Sequence, residues 1–196
     1  MLYHNYLEML LGSRVKVKVL RTLCRHRGKE FTIRELAEFL NVSHMGVRKA
    51  LNDLYKVNAI RIRVIGKSHT IALNAESYAG ELADKVFRTE EETLGELVKL
   101  LKKGLSDPAI TSALIFGSVA RGEEDPLSDI DLFILTKDKE KAEVAISELQ
   151  REVSNRFGNA ISPYILSQGQ LADKDKSQIL EEIRKKHIVV RGEPLE

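Results

Sequence analysis

The feature that most constrains the fold of this sequence is the stretch from Ile115 to Leu135. Gly117-Ser118 follows one apolar segment, ten residues separate Ser118 from Asp129, and Asp131 lies inside a second apolar segment. Short apolar segments bounded by glycine and polar residues are typical of buried strands. The stretch therefore predicts two strands that hold a Gly-Ser turn and a pair of carboxylates.

The two carboxylates have the spacing of a metal site. Side chains alternate between the faces of a strand, so Asp129 and Asp131 are expected to point the same way, about 6 to 7 Å apart. Like charges at that separation repel each other unless a divalent cation lies between them, and Mg²⁺ is usually bound by one or two carboxylates together with substrate phosphates. A solvated strand face is the alternative interpretation of the pair by itself.

The Gly-Ser turn has the properties of a phosphate site. Gly117 lets the backbone approach an anion closely, Ser118 offers a hydroxyl and an N–H, and a helix that begins here would favour negative charge at its N-terminus. Arg121 adds a planar cation suited to phosphate. A Gly-Ser pair alone is more often an ordinary turn, so the prediction depends on its conjunction with Asp129 and Asp131.

This conjunction, with apolar strands on both sides and Arg121-Gly122 between them, resembles the minimal nucleotidyltransferases of the DNA polymerase beta-like superfamily. The resemblance covers residues 106–192. It implies that the Gly-Ser turn holds a nucleoside triphosphate and that Asp129 and Asp131 are catalytic and bind Mg²⁺ or Mn²⁺. The nucleotide-binding residues expected on this basis are Gly117, Ser118, Arg121, Gly122 and Ser128.

The sequence departs from the superfamily pattern at one position. The resemblance implies a third carboxylate on the following strand, which completes the metal site and helps to activate the attacking hydroxyl. The candidate strand, 159–166, contains no Asp or Glu, and the nearest acids downstream are Asp173 and Asp175. Either an acid from elsewhere substitutes, or the site binds nucleotide and metal without efficient transfer.

The charge is distributed unevenly along the chain. Residues 1–80 hold 14 Lys and Arg against 6 Asp and Glu, whereas the whole chain has a net charge of only +2. A basic first part joined to an acidic second part indicates two domains with different partners. Nucleic acid is the expected partner of the basic domain.

Helix signals in the basic part have helix-turn-helix spacing. A first helix is predicted over Tyr3 to Leu11, and Ser13 is a candidate N-cap for a second. Thr32 and Glu35 form a capping-box pattern for the next helix, and Ser43 is a candidate N-cap for another after a tight turn at 41–42. Residues 59–65 and 70–73 then predict a hairpin.

The three helices that begin after Ser13, Thr32 and Ser43, followed by a basic hairpin, resemble the winged-helix DNA-binding domains of bacterial and archaeal regulators. In that fold the third helix enters the major groove and the wing touches the backbone or the minor groove. The alternative is a solvated face, with the domain used for protein contact. A second copy of the chain is also a candidate partner, because apolar residues near the N-terminus could pack on a partner or on the domain's own core. The expected contacts to double-stranded DNA are His44, Arg48, Lys49, Arg61, Arg63 and Lys67.

The expected fold class is α+β or α/β, in three parts. They are a winged helix over 1–78, a helical linker or covering helix over 79–105, and a small mixed-sheet nucleotidyltransferase-like domain over 106–196. Helical periodicity returns at Glu81 and stops at Gly104, and the C-terminal part is predicted as strand, turn, strand, helix, strand, helix and strand. Pro163 predicts that the third of these strands lies at an edge or is irregular.

The remaining composition excludes several classes of protein. The sequence contains no run of 18 apolar residues, so no membrane span is expected. It also shows no basic segment followed by an apolar core, so no secretory signal is expected. The single cysteine, Cys24, cannot form an internal disulfide, so a cytoplasmic location is expected and a small buried hydrophobic residue is the simplest role for it.

Two functions follow from the sequence. The first is transfer of a nucleoside monophosphate from a triphosphate to a hydroxyl on a small molecule, an RNA or a protein. The second is DNA-binding regulation, in which the nucleotidyltransferase-like domain binds nucleotide or a partner without efficient catalysis. The two are compatible in one chain.

Overall fold

The computed structural model describes residues 4–66, 68–171 and 177–195. The chain divides into two compact units, Met1–Glu92 and Thr93–Glu196. Among the described residues, none of the helices combines the length and the apolar character needed to cross a membrane.

The N-terminal unit begins with four helices, and the predicted caps set three of their starts. The side chains of Ser13 and Ser43 accept hydrogen bonds from the backbone N–H three residues on, and Thr32 and Glu35 form both halves of a capping box. Asn41 takes the left-handed conformation (φ +48°) that ends the third helix. The helices are α1 Leu7–Leu11, α2 Arg14–Arg25, α3 Ile33–Leu40 and α4 His44–Lys56.

The first helix is shorter than predicted. The sequence indicates a start at Tyr3, which is outside the described residues, but residues 4–6 are not helical and Asn5 has a φ of +56°. A left-handed residue breaks the run of helical dihedrals, so α1 begins only at Leu7. Leu10 is fully buried in the unit's own core, whereas Leu7 is 51% exposed.

The N-terminal unit also contains a three-stranded sheet. Strands β1 Phe31–Thr32, β2 Ile60–Ile65 and β3 Ser68–Leu73 pair in the order β1-β3-β2, all antiparallel. The predicted hairpin is confirmed, with Ile65 opposite Ser68. Strand β1 was not predicted, because it has two residues and the second also caps α3. Helices α2 to α4 and the β2–β3 hairpin form a winged helix.

One long helix, α5 Tyr78–Gly104, begins in the first unit and ends in the second. Its first part contributes Ala79, Ala83 and Phe87 to the N-terminal core. At the surface, Arg21 of α2 makes two hydrogen bonds of 2.6 and 2.7 Å to the carboxylate of Glu90. Its last part contributes buried leucines to the C-terminal core.

The C-terminal unit is a four-stranded mixed sheet in the order β6-β5-β4-β7. Strand β6 pairs parallel to β5, and the other two pairings are antiparallel. Pro163 lies on β6, which is an edge strand as predicted. The elements are β4 Ile110–Ile115, α6 Gly117–Arg121, β5 Ile130–Thr136, α7 Lys139–Phe157, β6 Ile161–Ser167, a 3-10 turn Gln168–Gln170, α8 Ser177–Lys185 and β7 Ile188–Arg191.

Each face of this sheet packs against different helices. Ile130, Leu132 and Ile134 of β5 belong to the core that includes α7 and the end of α5. Phe133 and Leu135 belong to the core that includes Leu180 and Ile183 of α8. Because side chains alternate along a strand, Asp131 lies on the α8 side of the sheet.

Candidate functional site

Gly117 lies against the carboxylate of Asp131. Its φ is +67°, and a Cβ atom built on it would overlap Oδ2 of Asp131 and lie 2.9 Å from Cγ. The Phe116 N–H also donates a 3.0 Å hydrogen bond to the backbone carbonyl of Asp131. Any side chain at position 117 would fill the space that the carboxylate now occupies, so the turn requires glycine for both conformation and room.

The Gly-Ser turn forms the start of the short helix α6. Gly122 ends that helix in the left-handed conformation (φ +70°), and its N–H donates to the carbonyls of Ser118 and Val119. Gly117 and Gly122 therefore fix the two ends of a single helical turn that contains the half-buried Ser118.

The two aspartates differ in exposure. Asp129 is exposed and directly precedes β5, whereas Asp131 is half-buried on the strand. Burial raises the pKa of Asp131, the negative charges of Glu182 and Asp129 raise it further, and Arg121 opposes them. A cation bound beside Asp131 would favour the ionised carboxylate and would offset both the burial and the neighbouring negative charges.

Arg121 lies at this site but is already paired. Its Nε is 2.8 Å from Oε2 of Glu123, and its Nη1 is 2.7 Å from Oε1 of Glu182 on α8. These two hydrogen bonds raise the pKa of the Arg121 guanidinium. A phosphate bound by Arg121 would therefore share or replace a carboxylate partner.

Ser128 holds the loop before β5 in shape. Its Oγ accepts a 2.9 Å hydrogen bond from the Asp125 N–H, and its carbonyl accepts one of 2.9 Å from the amide of Asn159. The Leu127 side chain at the tip of the same loop is 92% exposed. These hydrogen bonds of Ser128 hold the backbone directly before Asp129 in place.

Glu182 is a site residue that the sequence did not identify. Its neighbours Leu180 and Ile183 are buried on the Asp131 side of the sheet, and the amphipathic pattern of α8 is visible in the sequence. That pattern does not say which face of which sheet the helix covers. The downstream acids considered from the sequence, Asp173 and Asp175, lie outside the described residues.

The donor set at this site fits a divalent cation bound together with phosphate. No group of three or more His, Cys, Asp or Glu side chains in the described part of the chain is close enough to hold a metal ion alone. Mg²⁺ commonly takes one or two carboxylates and completes its shell with water and substrate phosphates. Asp129 and Asp131 supply the hard oxygen ligands for that arrangement.

The candidate DNA-binding residues lie on two faces of the N-terminal unit. His44, Arg48 and Lys49 are exposed on α4, and Arg48 lines a 230 Å³ groove together with Ile62 and His69 of the hairpin. Arg61 and Arg63 alternate with Ile62 and thus lie on the other face of the hairpin.

The arginines on that other face are paired with carboxylates. Arg61 is 2.5 Å from Glu76, and Arg63 is 3.1 Å from Glu30. Lys67 lies outside the described residues. His69, which the sequence did not single out, lies on the Arg48 side of the hairpin.

Comparison with known proteins finds a family model that matches most of the C-terminal unit. The family model described as Polymerase beta, Nucleotidyltransferase matches residues 96–191. No curated protein matches the chain.

Several solved structures resemble parts of the chain. A toxin-antitoxin structure with AMP-PNP is 17% identical and covers 52% of this chain and 74% of its own, with a TM-score of 0.35. MepR, a transcription regulator of the Staphylococcus aureus multidrug efflux pump MepA, is 22% identical over 46% and 69%, with a TM-score of 0.37. A MarR family transcription regulator is 16% identical over 77% and 79%, with a TM-score of 0.39.

The family match covers the elements that carry the Gly-Ser turn and the aspartate pair, and helices α2 to α4 with the hairpin precede it. Residues 96–191 therefore match the nucleotidyltransferase family model, and in the same chain they follow an N-terminal winged helix.

Proposed function

We propose that this protein is a metal-dependent nucleotidyltransferase that transfers a nucleoside monophosphate from a nucleoside triphosphate to an acceptor hydroxyl. The observation that carries the proposal is the contact between Gly117 and the Asp131 carboxylate. It brings the glycine turn that we expect to bind phosphate against one of the two carboxylates that we expect to bind the cation. The family match of residues 96–191 supports it.

Each residue of the site has a defined part in this reaction. Gly117 and Ser118 would bind the triphosphate at the start of α6, and Asp129 and Asp131 would hold the divalent cation. The bound cation would neutralise charge on the phosphates and on the leaving pyrophosphate. The acceptor oxygen forms a bond to the α-phosphorus, the bond from that phosphorus to the pyrophosphate oxygen breaks, and the acceptor gives up its proton.

The test is transfer of label from α-labelled ATP in the presence of Mg²⁺, with the chain itself, an RNA pool and small hydroxyl compounds as acceptors. We expect labelled product with the wild type and loss of at least about 100-fold in Asp129→Ala and Asp131→Ala. Glu124→Ala, which removes an exposed acid from the same loop, is the matched control and should retain activity. Equal transfer by the aspartate variants would exclude this function.

A second function is favoured by the sheet register. Strand β6 places Ser162 directly beside Asp131, where the superfamily pattern implies an acid. We propose as the alternative that the protein is a DNA-binding regulator whose nucleotidyltransferase domain binds nucleotide or a partner without efficient transfer. The exposed cations of α4, Arg48 and Lys49, support binding to double-stranded DNA.

Salt dependence of duplex binding tests the DNA-binding part. Each phosphate neutralised adds about 0.9 to the magnitude of the slope of log affinity against log salt. Arg48→Ala/Lys49→Ala should therefore lower the slope by about 2. The control is Lys102→Ala/Lys103→Ala, which removes two exposed cations from the end of α5. A wild-type slope near zero would exclude phosphate contacts.

A further inference from the structure

The sheet itself leaves the site one acid short. Strands β5 and β6 run parallel with Asp131 beside Ser162, and Tyr164 and Leu166 of β6 pack in the same core as Phe133. Ser162 therefore lies on the Asp131 face, at the position from which a strand residue would complete a group of acids. A serine hydroxyl there supplies no charge at neutral pH.

A helix brings an acid to the same face. Leu180 and Ile183 of α8 are 2% and 0% exposed and pack in the core that contains Leu114 and Phe133. This packing fixes the helix against the sheet and leaves Glu182, whose side chain is 50% exposed, next to the site. The carboxylate of Glu182 is held there by the 2.7 Å contact with Nη1 of Arg121.

Arg121 links this acid to the Gly-Ser turn. It is the last residue of α6, the helical turn that Gly117 begins, and Lys186 near the end of α8 donates a 3.3 Å hydrogen bond to its carbonyl. Two contacts therefore join α6 to α8 and to the residue that follows it.

We infer that Glu182 is the third acid of this site: positioned by Arg121, it strengthens divalent-cation binding at Asp129 and Asp131 from helix α8 instead of from strand β6. The inference rests on the proposed cation site. Glu182 acts from outside the direct coordination shell of the cation. Among the described residues, Asp129, Asp131 and Glu182 do not form a group that could hold a metal ion by itself. Outer groups hydrogen-bonded to metal ligands typically change metal affinity 10- to 100-fold, and Glu182, which is bonded to Arg121, is expected at the lower end of that range.

The experiment measures Mn²⁺ affinity of the full chain by electron paramagnetic resonance, with and without a non-hydrolysable ATP analogue. Glu182→Gln keeps the size of the side chain and removes its charge, and Glu182→Asp keeps the charge. Glu123→Gln removes the other carboxylate partner of Arg121 and is the matched control. We expect about 10-fold weaker Mn²⁺ binding in Glu182→Gln, a smaller loss in Glu182→Asp and unchanged binding in Glu123→Gln.

The outcomes separate this inference from the proposed function. Wild-type protein that binds no Mn²⁺ even with nucleotide would overturn both. Wild-type binding with equal affinity in Glu182→Gln would overturn the role of Glu182 alone. Equal weakening in Glu182→Gln and Glu123→Gln would also overturn it, because the effect would then belong to the position of Arg121 and not to the charge of Glu182.

Discussion

Gly117 and Gly122 share a backbone conformation but differ in their surroundings. Both have a left-handed φ, yet a Cβ at 117 would overlap Asp131 whereas a Cβ at 122 would have no heavy atom within 4 Å. The pair therefore separates the cost of backbone strain from the cost of displacing a carboxylate.

We predict that Gly117→Ala and Gly122→Ala each lose about 1 to 2 kcal/mol of stability from the left-handed φ, but that only Gly117→Ala also weakens Mn²⁺ binding by displacing the Asp131 carboxylate. Calorimetry of the full chain measures the first effect, and titration with Mn²⁺ and an ATP analogue measures the second. Retained binding in Gly117→Ala would show that Asp131 can move without consequence.

The raised pKa of Asp131 gives the free site a pH-dependent stability. An acid whose pKa is higher in the folded chain than its ordinary 3.8 stabilises the fold while protonated, and this contribution is lost as the pH rises through the folded value. At neutral pH the ionised Asp131 therefore destabilises the metal-free protein.

We predict that Asp131→Asn raises the melting temperature of the metal-free protein at pH 7, and that its advantage over the wild type shrinks as the pH falls towards 4. Asp129→Asn should have a smaller effect, because Asp129 is exposed to solvent. Mg²⁺ with an ATP analogue should reverse the order by stabilising only the wild type. A melting difference that does not change with pH would contradict this account.

Cys24 is placed to be chemically inert. Its side chain is 6% exposed in the N-terminal core, and burial, together with the charge of Asp84, raises the pKa of the thiol to about 12. We predict negligible reaction with a thiol reagent at pH 7 in the folded protein and rapid reaction in denaturant. Labelling of the folded chain at the rate of a free thiol would show that this core opens.

At the level of elements, the sequence predicted what is locally encoded. The caps at Ser13, Thr32 and Ser43 depend on side chains that bond within the next turn, so the starts of α2, α3 and α4 could be read directly. Gly158 likewise ends α7 in a left-handed conformation, which glycine adopts without strain.

What the sequence did not reveal depends on pairing between distant segments. The position of Glu182 beside Asp131 follows from which face of the sheet α8 covers, and the separation of Arg61 and Arg63 from Arg48 follows from the register of the hairpin. Neither is specified by local periodicity, since the same pattern of apolar residues allows either face to be covered.

The two faces of the hairpin lead to a prediction about DNA contacts. Arg48 and His69 line one groove, whereas Arg61 and Arg63 on the opposite face are already paired with Glu76 and Glu30. Breaking those pairs would offset part of the energy of any new phosphate contact.

We therefore expect Arg61→Ala/Arg63→Ala to lower the salt slope of duplex binding by less than 1, compared with about 2 for Arg48→Ala/Lys49→Ala. His69→Ala, on the α4 side, tests the groove itself. A larger effect from the Arg61 and Arg63 variant would place the DNA surface on the other face of the hairpin.

At the level of the whole molecule, the two candidate functions differ in whether one unit responds to a ligand of the other. Regulation by nucleotide requires that an ATP analogue change duplex affinity, and linkage requires that DNA change nucleotide affinity by the same factor. The regulator function predicts a shift of about 5-fold or more, measured by fluorescence anisotropy with and without nucleotide and Mg²⁺. Asp129→Ala/Asp131→Ala should abolish this shift in duplex affinity. An unchanged duplex affinity in the wild type would exclude regulation by nucleotide.

The strand order β6-β5-β4-β7 sets the time at which each unit can become functional during synthesis. Every element of the winged helix precedes residue 74, whereas β4 acquires its second neighbour only when Ala113 pairs with Arg191, and Glu182 lies on the helix just before that last strand. Domains generally fold as units in the order in which they leave the ribosome. A growing chain would therefore carry a folded winged helix well before Glu182 could meet Asp131.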